Sequence, residues 1–165
     1  MNAAALNIIF PGIKIGPGDV GDECVLSESG IVFWNRPEPQ PTKAEIAAAV
    51  IPAQRQQIRE AISAERDIRK EAQGYKASGK QFHSDIFSRI QQISLVILGA
   101  DMPSGIRWKT MDGSFIEMTP TLARKIFGAA AAFDTALFAH GETLKEQVDA
   151  AEDPTSIDIT AGWPG

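Results

Sequence analysis

Alternating prolines in Arg36-Pro37-Glu38-Pro39-Gln40-Pro41-Thr42 divide this chain. Each ring fixes φ and removes a backbone donor, so residues 36–42 form a stiff extended linker that neither a helix nor a paired strand crosses. Before the linker, "LNIIF", "IKIG", "ECVLS" and "GIVFWN" are short β-prone runs separated by Pro11-Gly12, "GPGDVGD" and Ser29-Gly30. They predict a small antiparallel meander over residues 1–35. So little chain buries too small a core to stand alone, so it is expected to lean on a partner or on the later module.

After the linker the pattern becomes helical. Thr42 with Glu45 three places on makes a capping box, which starts a helix near Lys43. Pro52 either kinks that helix or opens a second one. From Ala53 to Ala72 the sequence is polar, with a narrow apolar stripe of Ile58, Ala61, Ile62, Ile68 and Ala72. Ile51, Ile58, Ala61 and Ile68 also fit a coiled-coil seam for two heptads, interrupted by Glu65. Two readings stand: one strand of a short oligomeric stalk, or a helix packed on the following domain. Residues 36–72 thus form a linker and connecting helix.

Residues 73–165 read as a hairpin–helix–hairpin–helix module. Tyr75 to His83 forms a hairpin around Ser78-Gly79, and a helix follows from Asp85 to Leu98 with Gly99 past its end. Ile86, Ile90, Ile93 and Ile97 are expected on that helix's inner face. "IRWKTMDGSFIEMT" places two alternating runs around Asp112-Gly113, a strong hairpin signal. Thr119 caps the next helix, Pro120 takes its first position, and the helix runs to about Ala150, with "HGE" at 140–142 a candidate break. The fold class is therefore α+β: a small N-terminal β meander, a polar connecting helix, and the C-terminal module.

Composition narrows the function. The 165 residues are 44% hydrophobic and 22% charged, which suits a globular fold. No apolar run is long enough to cross a bilayer, so no membrane partner is expected. "MNAAALNIIFPGIKIG" lacks the basic region of a signal peptide, so no export signal is expected either. A net charge of −5 argues against a nucleic-acid partner. The basic residues Arg55, Arg59, Arg66, Arg69, Lys70, Lys76 and Lys80 are interleaved with Glu60, Glu65, Asp67 and Glu71, as on a salt-bridged helix face. The single cysteine, Cys24, excludes an internal disulfide and any multi-thiolate metal site. It reads as a reduced thiol, with an intermolecular disulfide as the alternative.

Three stretches resemble chemistry. Gly16-Pro17-Gly18-Asp19-Val20-Gly21 satisfies G-x-G-x-x-G, but β-prone, acidic sequence follows it where dinucleotide binding needs a helix N-terminus. It reads as a turn. His83-Ser84-Asp85 holds the residue types of a nucleophilic triad, yet triad members converge from separate segments. These letters read instead as a helix cap by Ser84 or Asp85. Trp163, near the C-terminal end, either docks on its own domain or contacts another chain. No catalytic, cofactor-binding or metal-binding residue is assigned.

The ordered set "GYKASGKQFHSD", "SRIQQ", "IRWKTMDGSFIEMT" and "IDITAGWP" resembles an uncharacterised domain family of tailed-bacteriophage tail-fibre and tail-fibre-associated (assembly) proteins, over residues 66–165. "FWNRPEPQPTKAEIAAA" is similar to the N-terminal organisation of tail-fibre assembly proteins. The resemblance implies a non-enzymatic protein that binds a phage tail fibre or neighbouring tail protein, as an assembly chaperone, a retained virion subunit, or both. Its place would be the host cytoplasm during assembly, and the virion tail if retained. The partner-binding residues expected are Ile8, Phe10, Phe33 and Trp34 of the β region, Ile58 of the connecting helix, and Trp163. The alternatives are a structural fibre or baseplate component that forms a homo-oligomer through the 43–72 helix, and, from another class, a hydrolase using His83 and Ser84.

Overall fold

A computed structural model describes residues 2–165. Its elements run α1 (Ala3–Ile9), β1 (Cys24–Leu26), β2 (Ile31–Trp34), α2 (Lys43–Ala72), β3 (Tyr75–Ala77), β4 (Lys80–Phe82), α3 (Ile86–Leu98), β5 (Arg107–Lys109), β6 (Phe115–Glu117) and α4 (Pro120–Ala150). Among the described residues the strands pair with one another as antiparallel neighbours, β1 with β2, β3 with β4, and β5 with β6. The fold is α+β, with three separate hairpins set among helices. Two compact units divide it: residues 2–60 with 147–157, and residues 61–146 with 158–165. α2 and α4 each contribute a segment to both units, so these divisions fall inside helices.

In the first unit the N-terminal meander reduces to one hairpin. The run expected as its first strand is α1. Asn2 caps it, accepting from the backbone N–H groups of Ala4 at 3.0 Å and Ala5 at 3.2 Å. Short apolar runs are ambiguous between strand and helix; here three consecutive alanines and the cap decide for helix. "IKIG" supplies only an isolated bridge from Ile15 to Cys24. The β1–β2 hairpin forms as expected, with Cys24 opposite Trp34 and Val25 opposite Phe33. Ala5, Leu6, Ile13, Cys24, Ile46 and Ala49 make the unit's core.

The capping box at Thr42 is present: Glu45 Oε2 accepts from the Thr42 N–H at 2.7 Å, and Thr42 Oγ1 accepts from the Glu45 N–H at 3.2 Å. α2 then runs through Pro52 without interruption. Thus Pro52 lies inside one helix and does not open a second.

In the second unit Ser78 and Gly79, both at positive φ, close the β3–β4 hairpin as an Asn-Gly-type turn would. Tyr75 and Ala77 point inward while Lys76 points out. α4 continues through His140-Gly141-Glu142 unbroken. The core gathers Tyr75, Phe82, Met102, Met118, Ile126, Phe133 and Leu137. Gly74 sits at φ +73, where a Cβ would strike Met111 Sδ and lie 2.5 Å from the Phe82 carbonyl oxygen.

Candidate functional site

The "HSD" joint resolves into structural roles. Asp85 caps α3, its carboxylate accepting from the Ser88 N–H at 3.0 Å and the Ser88 hydroxyl at 2.7 Å. Those hydrogen bonds hold the Asp85 carboxyl below its ordinary range. Ser84 is buried. Its hydroxyl donates to the Glu71 carbonyl at 3.1 Å and accepts from the Gly74 N–H at 3.0 Å, tying the end of α2 to the start of α3. A nucleophile needs its hydroxyl held by a base and open to substrate; this one is committed to backbone on both sides. The His83 carbonyl accepts from Gln92 Nε2 at 3.1 Å.

The glycine-rich loop is closed by its own acid. Asp22 Oδ2 accepts from the N–H groups of Gly18 at 2.9 Å and Asp19 at 2.8 Å, so a carboxylate occupies the place a phosphate would take. Among the described residues, no group of three or more His, Cys, Asp or Glu is placed to hold a metal ion. No described helix is long and apolar enough to cross a membrane. The basic α2 residues find partners inside the fold: Arg59 pairs with Asp149, Arg69 with Glu65 at 2.6 Å, and the Arg66 guanidinium lies 4.2 Å from the Phe138 ring centre.

The six residues expected to bind a partner fall into different settings. Ile8, Phe10 and Trp34 pack around the first unit's core, with the Phe10 and Trp34 rings edge to face at 5.2 Å. The Trp34 indole N–H donates to the Glu38 carbonyl at 2.8 Å. Phe33 is 45% exposed beside Val32 at 61%. Residues 14–16 cover the outer side of β1 through Gly16, Glu23 and Cys24 backbone bonds, while β2 has no further strand among the described residues. Ile58 is half-buried. Trp163 docks on its own unit: its indole N–H donates to the Ile159 carbonyl at 2.9 Å, and its ring meets His140 at 4.7 Å. Cys24 is fully buried, and burial pushes its thiol pKa up, so it is not presented for an intermolecular disulfide.

A broad apolar surface lies on α3, and the orientation of that helix reverses the sequence reading. Ile86, Ile90, Ile93 and Ile97 were expected inside and instead face outward, with Ile86 63% and Ile97 78% exposed. The inner face carries polar groups. Arg89 pairs with Asp134 at 2.9 Å and lies over the Tyr75 ring, and Gln92, 3% exposed, accepts from the Tyr75 hydroxyl at 2.6 Å. Leu95 and Val96 complete the inner packing. The stripe's period is the same whichever way it faces. Two apolar residues on the opposite face were the available sign that α3 has apolar surface on more than one side. Beside α3 opens a cleft of about 580 Å³, walled by Ile86 and Ile93, with Phe127, Ala131 and Asp134 of α4 and Lys70 of α2 also lining it.

By fold and surface this is a small α+β protein of helices and isolated hairpins whose apolar residues are displayed on a helix face and a strand edge. Residues 53–161 match the family described as Domain of unknown function (DUF4376), and the chain belongs to that family. No curated protein and no solved structure matches the chain.

Proposed function

We propose that this chain is a non-enzymatic, tail-fibre-associated protein of a tailed bacteriophage, binding a fibre or neighbouring tail protein as assembly chaperone, retained virion subunit, or both. The observation that carries fibre binding is the β2 edge, which presents Val32 and Phe33 to solvent and has no further strand beside it among the described residues; α3 adds a separate apolar face of Ile86, Phe87, Ile90, Ile93 and Ile97. Contiguous apolar surface on this scale marks protein docking sites. The unpaired outer edge of β2 suits strand addition by a fibre segment. The assignment to phage tails rests on the ordered motifs "GYKASGKQFHSD", "IRWKTMDGSFIEMT" and "IDITAGWP".

The test is co-purification with the product of the neighbouring fibre gene, combined with mass spectrometry of purified particles. Recovery with the fibre is expected, and a Phe33→Glu variant should be recovered poorly. Absence from both the fibre fraction and the particle would sink the proposal.

A second reading, a structural fibre or baseplate element that self-associates through α2, is favoured by Ile51, Ala61 and Ile68, which are all exposed on that helix. Copy number equal to the fibre's in particles supports the first reading. Assembly of the isolated chain through α2 supports the second.

A further inference from the structure

α3 is turned inside out relative to an ordinary surface helix, which buries its apolar stripe and shows water its charges. Its only charged residue, Arg89, points inward to Asp134. Its outer seam, Ile86, Ile90, Ile93 and Ile97, advances by four, three and four residues, the spacing at which two helices interdigitate. With Phe87, Leu98 and Phe127 alongside, the face exposes about 700 Å². A typical monomer's largest apolar patch is about 300–600 Å². One side of a standard protein interface buries about 800 Å².

We propose that a second copy of this chain covers the face, with α3 packed on its twofold mate. The area matches what one partner of a stable dimer contributes. Charge does not oppose a copy of itself: the seam carries none, so identical faces meet without like charges opposed, as a self-complementary twofold contact requires. The flanking Asp67, Lys70 and Glu71 of α2 are of both signs and give no pull toward a strongly charged partner. This deepens the binding reading above by naming the occupant of α3, and it leaves the β2 edge for the fibre.

Sedimentation velocity on the full chain, across micromolar concentrations, tests it. Wild type is expected to dimerise in a concentration-dependent way. Ile90→Lys with Ile97→Lys should weaken the dimer by about 100-fold or more while the far-UV circular dichroism is unchanged. Ile97→Lys alone, at a side chain already 78% exposed, should weaken it in the same direction and serves if the double variant loses helix. Ile68→Lys on α2 should leave the dimer intact. A wild-type monomer throughout the range, or a dimer that survives the α3 substitutions, overturns the proposal. Dissociation by Ile68→Lys alone does so too and moves the contact to α2. Fibre co-purification is read separately, so a dimer without fibre binding fails only the functional reading, and a fibre-bound monomer fails only this one.

Discussion

Ser84 and Asp85 show how the same side-chain chemistry serves structure. Replacing Ser84 with Ala leaves the Gly74 N–H and the Glu71 carbonyl without their shared partner, and should cost about 1–2 kcal/mol in urea unfolding. Asp85→Ala removes the α3 cap and should cost about 1 kcal/mol at neutral pH. Because hydrogen bonds depress the folded Asp85 pKa, that contribution is present above the unfolded value of about 4 and is lost as pH falls through the lower folded one. The gap between wild type and variant should therefore close in acid. Tyr75 runs the opposite way. Burial raises its pKa, so its contribution is whole below about pH 10 and is lost as pH rises through the folded value. It is the chain's single tyrosine, so an absorbance titration reads it alone. Ionisation is expected above the ordinary range and together with unfolding; a normal titration in the folded protein would contradict its burial.

Local rules settled most of the element boundaries. The Thr42–Glu45 box, the Ser78-Gly79 turn, the Asp85 cap and Thr119-Pro120 each act within four residues, so the sequence alone exposes them. α1 escaped because a short apolar run reads equally as strand, and Asn2 had to be seen as a cap. At Pro52 one helix continues, so no second helix starts there: the stretches on both sides are held, by Ile46 and Ala49 in the core and by buried Ala53 and Ile62. Removing Pro52 should restore one helical hydrogen bond. Pro52→Ala is expected to raise stability by about 1–2 kcal/mol, read as an increased melting temperature. Gly74→Ala should do the reverse by about 3 kcal/mol or more. Positive φ and a clash with the Phe82 carbonyl act together there.

At the scale of the whole molecule, units that share α2 and α4 depend on contacts between residues far apart in sequence. In the second unit Gln73 donates to the Pro164 carbonyl at 2.6 Å, and Arg69 lies over the Trp163 ring. Trp163→Ala should therefore cost about 2 kcal/mol, visible as a lower urea midpoint, though the residue lies two positions from the C-terminal end. Had Trp163 been displayed for a partner instead, its loss would leave stability unchanged. The sequence by itself determined the α+β class, the three hairpin turns, and the helices α2, α3 and α4 with their caps, because turn chemistry and periodicity are local. Only the tertiary structure decided which face of α3 is inner. A repeat of isoleucines defines a stripe but not its direction. That direction was set by Arg89 and Gln92, which find Asp134 and Tyr75 inside, and by Leu95 and Val96, which satisfy the core from the other side.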